Sequence, residues 1–478
     1  VVRVLTRDSH NPDLQIQQKT STVTISDFSG GVNLADSPLS LKPNQLIEMT
    51  NWQYAPTGSG IEVRDGAKLM TTNVGSAVPL YSKVELLGSD DTGILFSTGG
   101  AAYSSTTAGV VSSIGALTGE SVPVIEPWGD PLTGYLTASG GKLQYILSGE
   151  ISTVDTSPDC DIVSKIGGRV VISGSDGARV YFSGIGDHTN WVIDSDTWTD
   201  ADALWVDIGY KSGGNISALT KIDKDLVIFK TDGIVYKLTG DYPDWHIFEV
   251  GHNVKNVNPF SAVQYGNDVV FIDEHYGIHM LSLISDFGDM KVSRFGREVN
   301  TQFLKELGNG ARVWNVMSRG ELWAKPANGS KKIYVYNSVS NCWGIFTFPL
   351  EPISVLSAGR EVYLSMQGTV SKGGGNLIYT LDHDTATEVG TAISASLTLR
   401  PIPSDCGRVL LNRSVVSVDG SGAVTLSAND HALVSSKTVD GAGRFLSHQV
   451  IMGDDVRMSV DATGKVQLNK VSVEYVEV

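Results

Sequence analysis

His275 and His279 stand four residues apart, the spacing at which two imidazoles on a helix can share a zinc ion. The run around them is β-prone, and on a strand residues four apart lie about 13 Å apart at ~3.3 Å per residue. That is too far for one ion, so both read as turn or surface histidines. Asp382-His383-Asp384 could orient an imidazole as a general base. No nucleophile is recognisable near it, and the triplet reads as a turn. The aspartates Asp194, Asp196, Asp200 and Asp202 offer hard oxygen atoms of the kind calcium takes, but the loop lacks the glycine and terminal glutamate of an EF-hand. It reads as a solvated acidic insertion.

Other chemistry is excluded by pattern. The chain has no phosphate-cradling G-x-x-x-x-G-K-[ST] loop, no HExxH and no G-x-S-x-G elbow. Ser89-Asp90-Asp91-Thr92-Gly93-Ile94-Leu95-Phe96 partly resembles a sialidase Asp-box, but it lacks the Thr-Trp ending and does not recur. Cys160, Cys342 and Cys406 are far apart and odd in number, so neither a disulfide framework nor a CxxC metal site is expected. The reading is of a non-enzyme, with no catalytic residue, no cofactor and no metal.

The elements that would carry any site are strands. Four stretches repeat one form, an apolar β-prone run, a polar turn with Gly or Asp, then a second run: Gly168 to Phe182, Asp225 to Tyr236, Asp268 to Met280, and Glu361 to Tyr379. Units begin near Lys83, Gly134, Ile162, Ile216, Phe260, Arg312 and Ile353. These intervals fit, though irregularly, the roughly 40–50 residues of a four-stranded propeller blade. A tryptophan marks a late strand in Asn190-Trp191-Val192-Ile193, Asp244 to Phe248 and Cys342 to Phe346, with Lys291 to Phe295 filling the slot between the last two. The 478 residues include 52 glycines and 41% hydrophobic residues, which suits short strands and tight turns. The expected fold is all-β: an irregular β-propeller of about six or seven blades, with an N-terminal arm plus short helix and a C-terminal β-sandwich.

Three domains follow, 1–79, 80–390 and 391–478. Residues 1–30 read as an extended arm, with Thr20 to Ile25 alternating like an edge strand. A helix is expected from a Ser40 cap through Leu46, Ile47, Met49 and Trp52. After Asp384 short strands split by Gly and Asp turns read as the sandwich. The polar stretch Val1 to Thr20 carries no apolar leader, and no run approaches the ~20 apolar residues of a membrane span.

Asp27-Phe28-Ser29-Gly30-Gly31-Val32-Asn33, then Asp36-Ser37-Pro38-Leu39, Asn51-Trp52 and Arg64-Asp65-Gly66 form an ordered set. With Tyr181 to Trp191 and Asp225 to Tyr236, that set resembles the tail hub or nozzle proteins (tail tubular protein B-like) of short-tailed, podovirus-type bacteriophages. The resemblance implies a homohexameric ring at the distal end of a virion tail, assembled in the host cytoplasm. It implies an adaptor protein above the ring, tail fibres or spikes beside it, and genome DNA retained and then passed without specific binding. Under it, Phe28, Val32, Leu34 and Trp52 are candidate inter-subunit residues, and Asp194, Asp196, Asp200 and Asp202 are candidate channel-facing acids.

Charge agrees with that expectation. The formal net charge is −16, with no Lys/Arg cluster of the kind that grips phosphates. A negative lumen would repel a passing duplex. The competing reading is a carbohydrate-binding or glycan-cleaving propeller in receptor recognition, which requires aromatic residues such as Trp198 and Trp205 exposed in a groove.

Overall fold

The computed structural model describes residues 20–55, 60–71, 80–85, 92–98, 100–106, 108–129, 132–174, 177–193, 197–209, 213–255, 257–283, 290–293, 295–367, 376–402, 408–429, 433–448, 451–453 and 455–477. Two compact units emerge. One holds Ser29–Asp36 and Arg64–Ile393, and the other holds the described parts of Val1–Phe28, Ser37–Val63 and Ser394–Val478.

The larger unit is a β-propeller of seven four-stranded blades among the described residues. Their first strands are Leu80–Glu85, Val124–Trp128, Ile162–Ile166, Ile216–Ile222, Ala262–Tyr265, Arg312–Val316 and Glu351–Ala358. From blade two onward each first strand adjoins the next, and Glu351–Ala358 adjoins Leu80–Glu85, which closes the ring. Blades one to six are continuous in sequence. Blade seven takes strands one to three from Glu351–Ala358, Glu361–Gln367 and Asn376–Asp382, and its fourth, Gly66–Thr71, from before blade one.

Second strands are buried on both faces, which is why Val170-Val171-Ile172, Leu226 to Phe229 and Val269 to Ile272 read as unbroken apolar runs. Blades press on one another through such strands. Ile166 and Phe182 of blade three share a core with Leu226 and Tyr236 of blade four. Val227 and Phe229 share the next with Val269 and Phe271 of blade five, and the two phenylalanine rings lie 5.3 Å apart. At the seam, Ile94 and Phe96 of blade one pack with Tyr363 and Ile378 of blade seven. The helix Arg297–Glu306 follows blade five and buries Phe303 against Tyr334, ring centroids 5.2 Å apart.

The smaller unit is built on two twenty-residue strands, Val409–Ala428 and Met458–Glu477, paired antiparallel with two register shifts. Thr20–Ile25 and Ser394–Leu399 pair along Met458–Glu477, and Leu433–Asp440 and Gly443–Ser447 pair along Val409–Ala428. Burial alternates along both long strands, so one face forms the core of this β-layered unit. The arm's edge strand over Thr20–Ile25 is therefore present and paired.

Several expectations need correction. The helix expected over Ser40 to Trp52 is instead the strands Leu46–Thr50 and Trp52–Tyr54, and the helical element there is a single 3-10 turn, Pro38–Ser40. A bulge between Leu46 and Glu48 adds one residue, so Leu46 and Met49 share a buried face at helix-like spacing. Asn190 to Ile193 is not a strand; it lies in the connection before blade three's fourth strand, Leu204–Asp207. Gly134 opens the second strand of blade two rather than its first. His279 is buried, its ring 5.8 Å from Phe271 and 5.7 Å from Tyr276, because Gly277–Leu283 is blade five's third strand.

Candidate functional site

The expected inter-subunit residues lie inside the chain's own fold. Phe28, Val32 and Trp52 are buried and Leu34 is half-buried. The Phe28 carbonyl accepts from Tyr54 Oη at 2.5 Å. Val32 N donates to Trp343 O at 2.8 Å, and Leu34 N to Glu298 O at 2.7 Å. Beside Val32, Gly31 has φ +55, and a Cβ there would meet Trp343 O at 2.5 Å, so this approach requires glycine. Phe28, Val32 and Trp52 are thus packed within their own chain, and Leu34 keeps part of its surface exposed.

The acidic insertion joins the third and fourth strands of blade three, at the blade's outer edge. Asp194 and Asp196 fall outside the described residues. Asp200 is exposed. Asp202 accepts from Thr199 N at 2.8 Å, Thr199 Oγ1 at 2.9 Å and Asn190 Nδ2 at 3.3 Å. Those bonds from Thr199 hold its carboxyl below the usual range. Buried Arg169 gathers the loop by donating to the Ser183 and Asp202 carbonyls, both at 2.6 Å, and to the Asp200 carbonyl. Asp202 is thus a turn-forming acid, and Asp200 alone of the described pair presents a carboxylate outward.

The propeller axis holds charges that no sequence pattern marked. Glu126, on blade two's first strand, pairs with Lys221 on blade four's first strand and lies 3.8 Å from Lys165 Nζ on blade three's. Lys165 Nζ also donates to Pro127 O at 2.9 Å. An ion pair thus links the innermost strands of blades two and four beside blade three's Lys165.

A second charged cluster sits where the ring closes. Arg64, just before the closing strand, donates to Glu388 Oε2 at 2.6 Å and Thr347 O at 2.7 Å, with its guanidinium 4.4 Å over the Phe348 ring. Asp65 accepts from Arg319 at 2.5 Å, and Arg319 also donates to Glu321 at 3.0 Å. His383 Nδ1 lies 3.0 Å from Asp65 Oδ1. Asp382-His383-Asp384 is therefore a turn whose imidazole meets an arginine-clamped carboxylate, an arrangement that holds structure. Burial pushes Glu388 above the usual carboxylate range, against the pull of Arg64.

The aromatic groove required of a glycan site is not formed as expected. Trp198 is half-buried, its Nε1 donating to Ala203 O at 3.1 Å and its ring edge-on to Tyr242. Trp205 is 44% exposed, with the Arg179 guanidinium 3.6 Å over its ring. The Asp-box-like stretch lies partly outside the described residues. Among the described residues, no helix is long and apolar enough to cross a membrane.

No protein-family model matches the chain, and no curated protein matches it. Solved structures do. A catalytically inactive virginiamycin B lyase from Staphylococcus aureus with quinupristin matches at 13% identity, covering 66% of this chain and 99% of that one, with a TM-score of 0.44. The WD40 beta propeller domain of Doa1 matches at 12% identity, covering 67% and 98%, with a TM-score of 0.42. BamB from Moraxella catarrhalis matches at 12% identity, covering 77% and 99%, with a TM-score of 0.38.

Proposed function

We propose that this chain is a structural, non-enzymatic subunit of a short bacteriophage tail. Six copies form the nozzle ring at the distal end of the virion, below an adaptor protein and beside tail fibres or spikes. The observation that carries the reading is where the phage-like residues fall. Gly31 and Val32 dock on Cys342 and Trp343, Arg64 and Asp65 clamp the ring closure, and Asn51, at φ +59, donates to Ser394 O at 2.7 Å. These positions make long-range contacts that hold each unit's strands in place, so the likeness rests on residues with structural roles.

In this reading the propeller is a wall and the genome passes between copies. The conduit is then built by several chains around a shared axis. Each copy brings a formal charge of −16, which disfavours lasting phosphate contacts along such a wall. A head-to-tail contact that closes produces the ring. The contact surface belongs to exposed residues, with Phe248 (52%) and Ile247 (39%) on blade four's outer strand as apolar candidates.

Native mass spectrometry and electron microscopy of the full chain, alone and mixed with the adaptor and fibre proteins of its virion, test this. Six-fold rings are expected. A chain that stays monomeric in every mixture and is missing from purified particles overturns it.

A further inference from the structure

The chain contains two Asn-Gly pairs, Asn309-Gly310 and Asn328-Gly329, and folding brings them together. The first lies in the connection from the helix Arg297–Glu306 into blade six. The second lies in the turn between that blade's second and third strands, Glu321–Lys325 and Lys332–Asn337. Asn328 N donates to Asn309 O at 2.9 Å and Gly308 N to Pro326 O at 3.1 Å, so backbone bonds lace the two turns together. Both asparagines are exposed. Both glycines are left-handed, with φ +78 at Gly310 and +79 at Gly329.

An asparagine that precedes glycine can lose its amide by reacting with its own backbone, because glycine has no side chain to hinder ring closure. Two conditions apply. The glycine N–H must give up its proton, and the asparagine side chain must be free to swing Cγ onto that nitrogen. Sequence and backbone angle are alike at the two pairs, so the partners of these groups decide the outcome.

At the second pair both conditions fail. Gly329 N donates to Glu351 Oε1 at 2.7 Å, and the same oxygen accepts from buried Lys325 Nζ at 2.7 Å. Removing the proton from an N–H that serves a carboxylate discards a charge-assisted bond and sets two negative centres together. The Asn328 carboxamide is also packed on the Gly310 α-carbon, where a Cβ would fall 2.2 Å from Asn328 Oδ1. At the first pair neither restraint is present. Among the described residues, the Gly310 N–H and the Asn309 carboxamide have no hydrogen-bond partner.

We propose that Asn309 is a site of spontaneous deamidation, and that Asn328 beside it is protected by Glu351. The Gly310 nitrogen loses its proton to solvent and bonds to Asn309 Cγ. The Cγ–Nδ2 bond breaks, ammonia leaves, and a succinimide remains. Water then opens the ring. Cleavage of the new Cγ–N bond gives aspartate, and cleavage of the original backbone C–N bond gives isoaspartate, whose chain continues through Cγ. Either product gains one carboxylate, and nothing is oxidised or reduced. Isoaspartate takes out of the main chain the carbonyl that accepts from Asn328 N, and it lengthens by one carbon the connection into the strand Arg312–Val316. The new charge also stands just beyond a helix C-terminus, where negative charge is disfavoured. The proposal is independent of the tail reading, and its failure leaves that reading untouched.

The test incubates the full chain in mildly alkaline buffer, folded and in urea, and follows both sites by peptide mapping with mass spectrometry and isoaspartyl methyltransferase labelling. In the folded chain Asn309 is expected to deamidate at least ten-fold faster than Asn328. In urea the two rates should fall within a few-fold of each other. Glu351→Ala frees the Gly329 N–H and should raise the Asn328 rate several-fold while Asn309 keeps its own. Should that variant fail to fold, amide exchange on the parent chain decides the same point: Gly310 N–H should exchange at least ten-fold faster than Gly329 N–H. Equal rates at the two asparagines in the folded chain, a faster Asn328, an Asn309 that reacts only in urea, a folded Glu351→Ala in which Asn328 stays protected, or amides that exchange alike overturns the proposal.

Discussion

Blades four and seven have the same four-stranded form but are assembled differently. Blade four runs without interruption from Ile216 to Gly251, and each strand pairs with its sequence neighbour. Blade seven recruits Gly66–Thr71 across some three hundred residues of chain, through pairs such as Asp382 with Gly66 and Tyr379 with Leu69. Closing so long a loop carries an entropic cost that local hairpins avoid. The charged clusters follow that difference. Blade four has the partly covered pair Lys237–Asp225 at 2.9 Å, while blade seven's closing strand is preceded by buried Arg64–Glu388 and the Asp65–Arg319–Glu321 chain. Desolvating charge is expensive. Blade four also buries the Lys230 ammonium, 3.6 Å from Asp232. What sets the seam apart is that its partners are distant in sequence: Arg64 meets Glu388 and Asp65 meets Arg319. This gives the closing strand fixed partners, where an apolar strand alone could pair with any exposed edge.

The strongest way to break this comparison is to remove one partner at each place. Arg64→Ala should lower the unfolding free energy by about 3–5 kcal/mol, the usual cost of stranding a buried charge. Arg64→Met combined with Glu388→Leu should recover most of it. Lys237→Ala in blade four should cost less, about 1–3 kcal/mol, because Asp225 keeps some access to water. Urea midpoints measure all three, and equal losses for the two single variants would remove the distinction.

Backbone space gives the next test. A Cβ at Gly66 would meet Thr385 O at 2.5 Å and Thr387 O at 2.6 Å, whereas one at Gly213, before blade four, meets nothing within 4 Å. Gly66→Ala should therefore cost on the order of 1–3 kcal/mol by overpacking. Gly213→Ala should be neutral or stabilise by up to about 1 kcal/mol. Hydrogen exchange on strand Asn376–Asp382 should rise in the first variant and stay unchanged in the second.

A pH series extends the comparison to blade six. Burial raises the Glu306 carboxyl, but bonds from Lys332 (2.7 Å), Gln302 (2.7 Å) and Tyr334 (3.1 Å) outweigh it and leave it below its ordinary value of 4.5. A lowered carboxyl contributes stability above its unfolded value and loses it as pH falls through the folded one. Glu306→Gln should thus be less stable than the parent at pH 7 and indistinguishable from it once Glu306 is protonated in both states. A gap that persists at the lowest pH would assign the effect to packing. The smallest change is expected at the axis, where Lys221 and Lys165 keep solvent contact: Lys221→Met should shift stability by no more than about 1 kcal/mol.

Much of the propeller was legible in the chain. Six of seven expected unit starts fall in or within two residues of a first strand, because strands buried on both faces leave unbroken apolar runs that turn residues punctuate. Gly134 misled because the run before it, Val124 to Trp128, contains Glu126 and Pro127 and does not read as buried. Leu46 and Met49 misled because a bulge gave a strand helical spacing. The sites were far less legible. Phe28, Val32 and Trp52 read as spare apolar surface until their partners were placed, and Asp202 read as a solvated acid until Thr199 was seen to bind it. Glu126 and Lys221 stand 95 residues apart and belong to no motif.

Local order in the chain decided the fold class, the turn positions and most blade limits, since each depends on side-chain periodicity and turn chemistry within a few residues. Tertiary structure alone decided that the strand after Asp65 completes the last blade and that Glu126 of blade two meets Lys221 of blade four. Those outcomes arise from groups far apart in sequence, brought together by ring closure, and no local pattern records which distant partner a charge or a strand edge will meet.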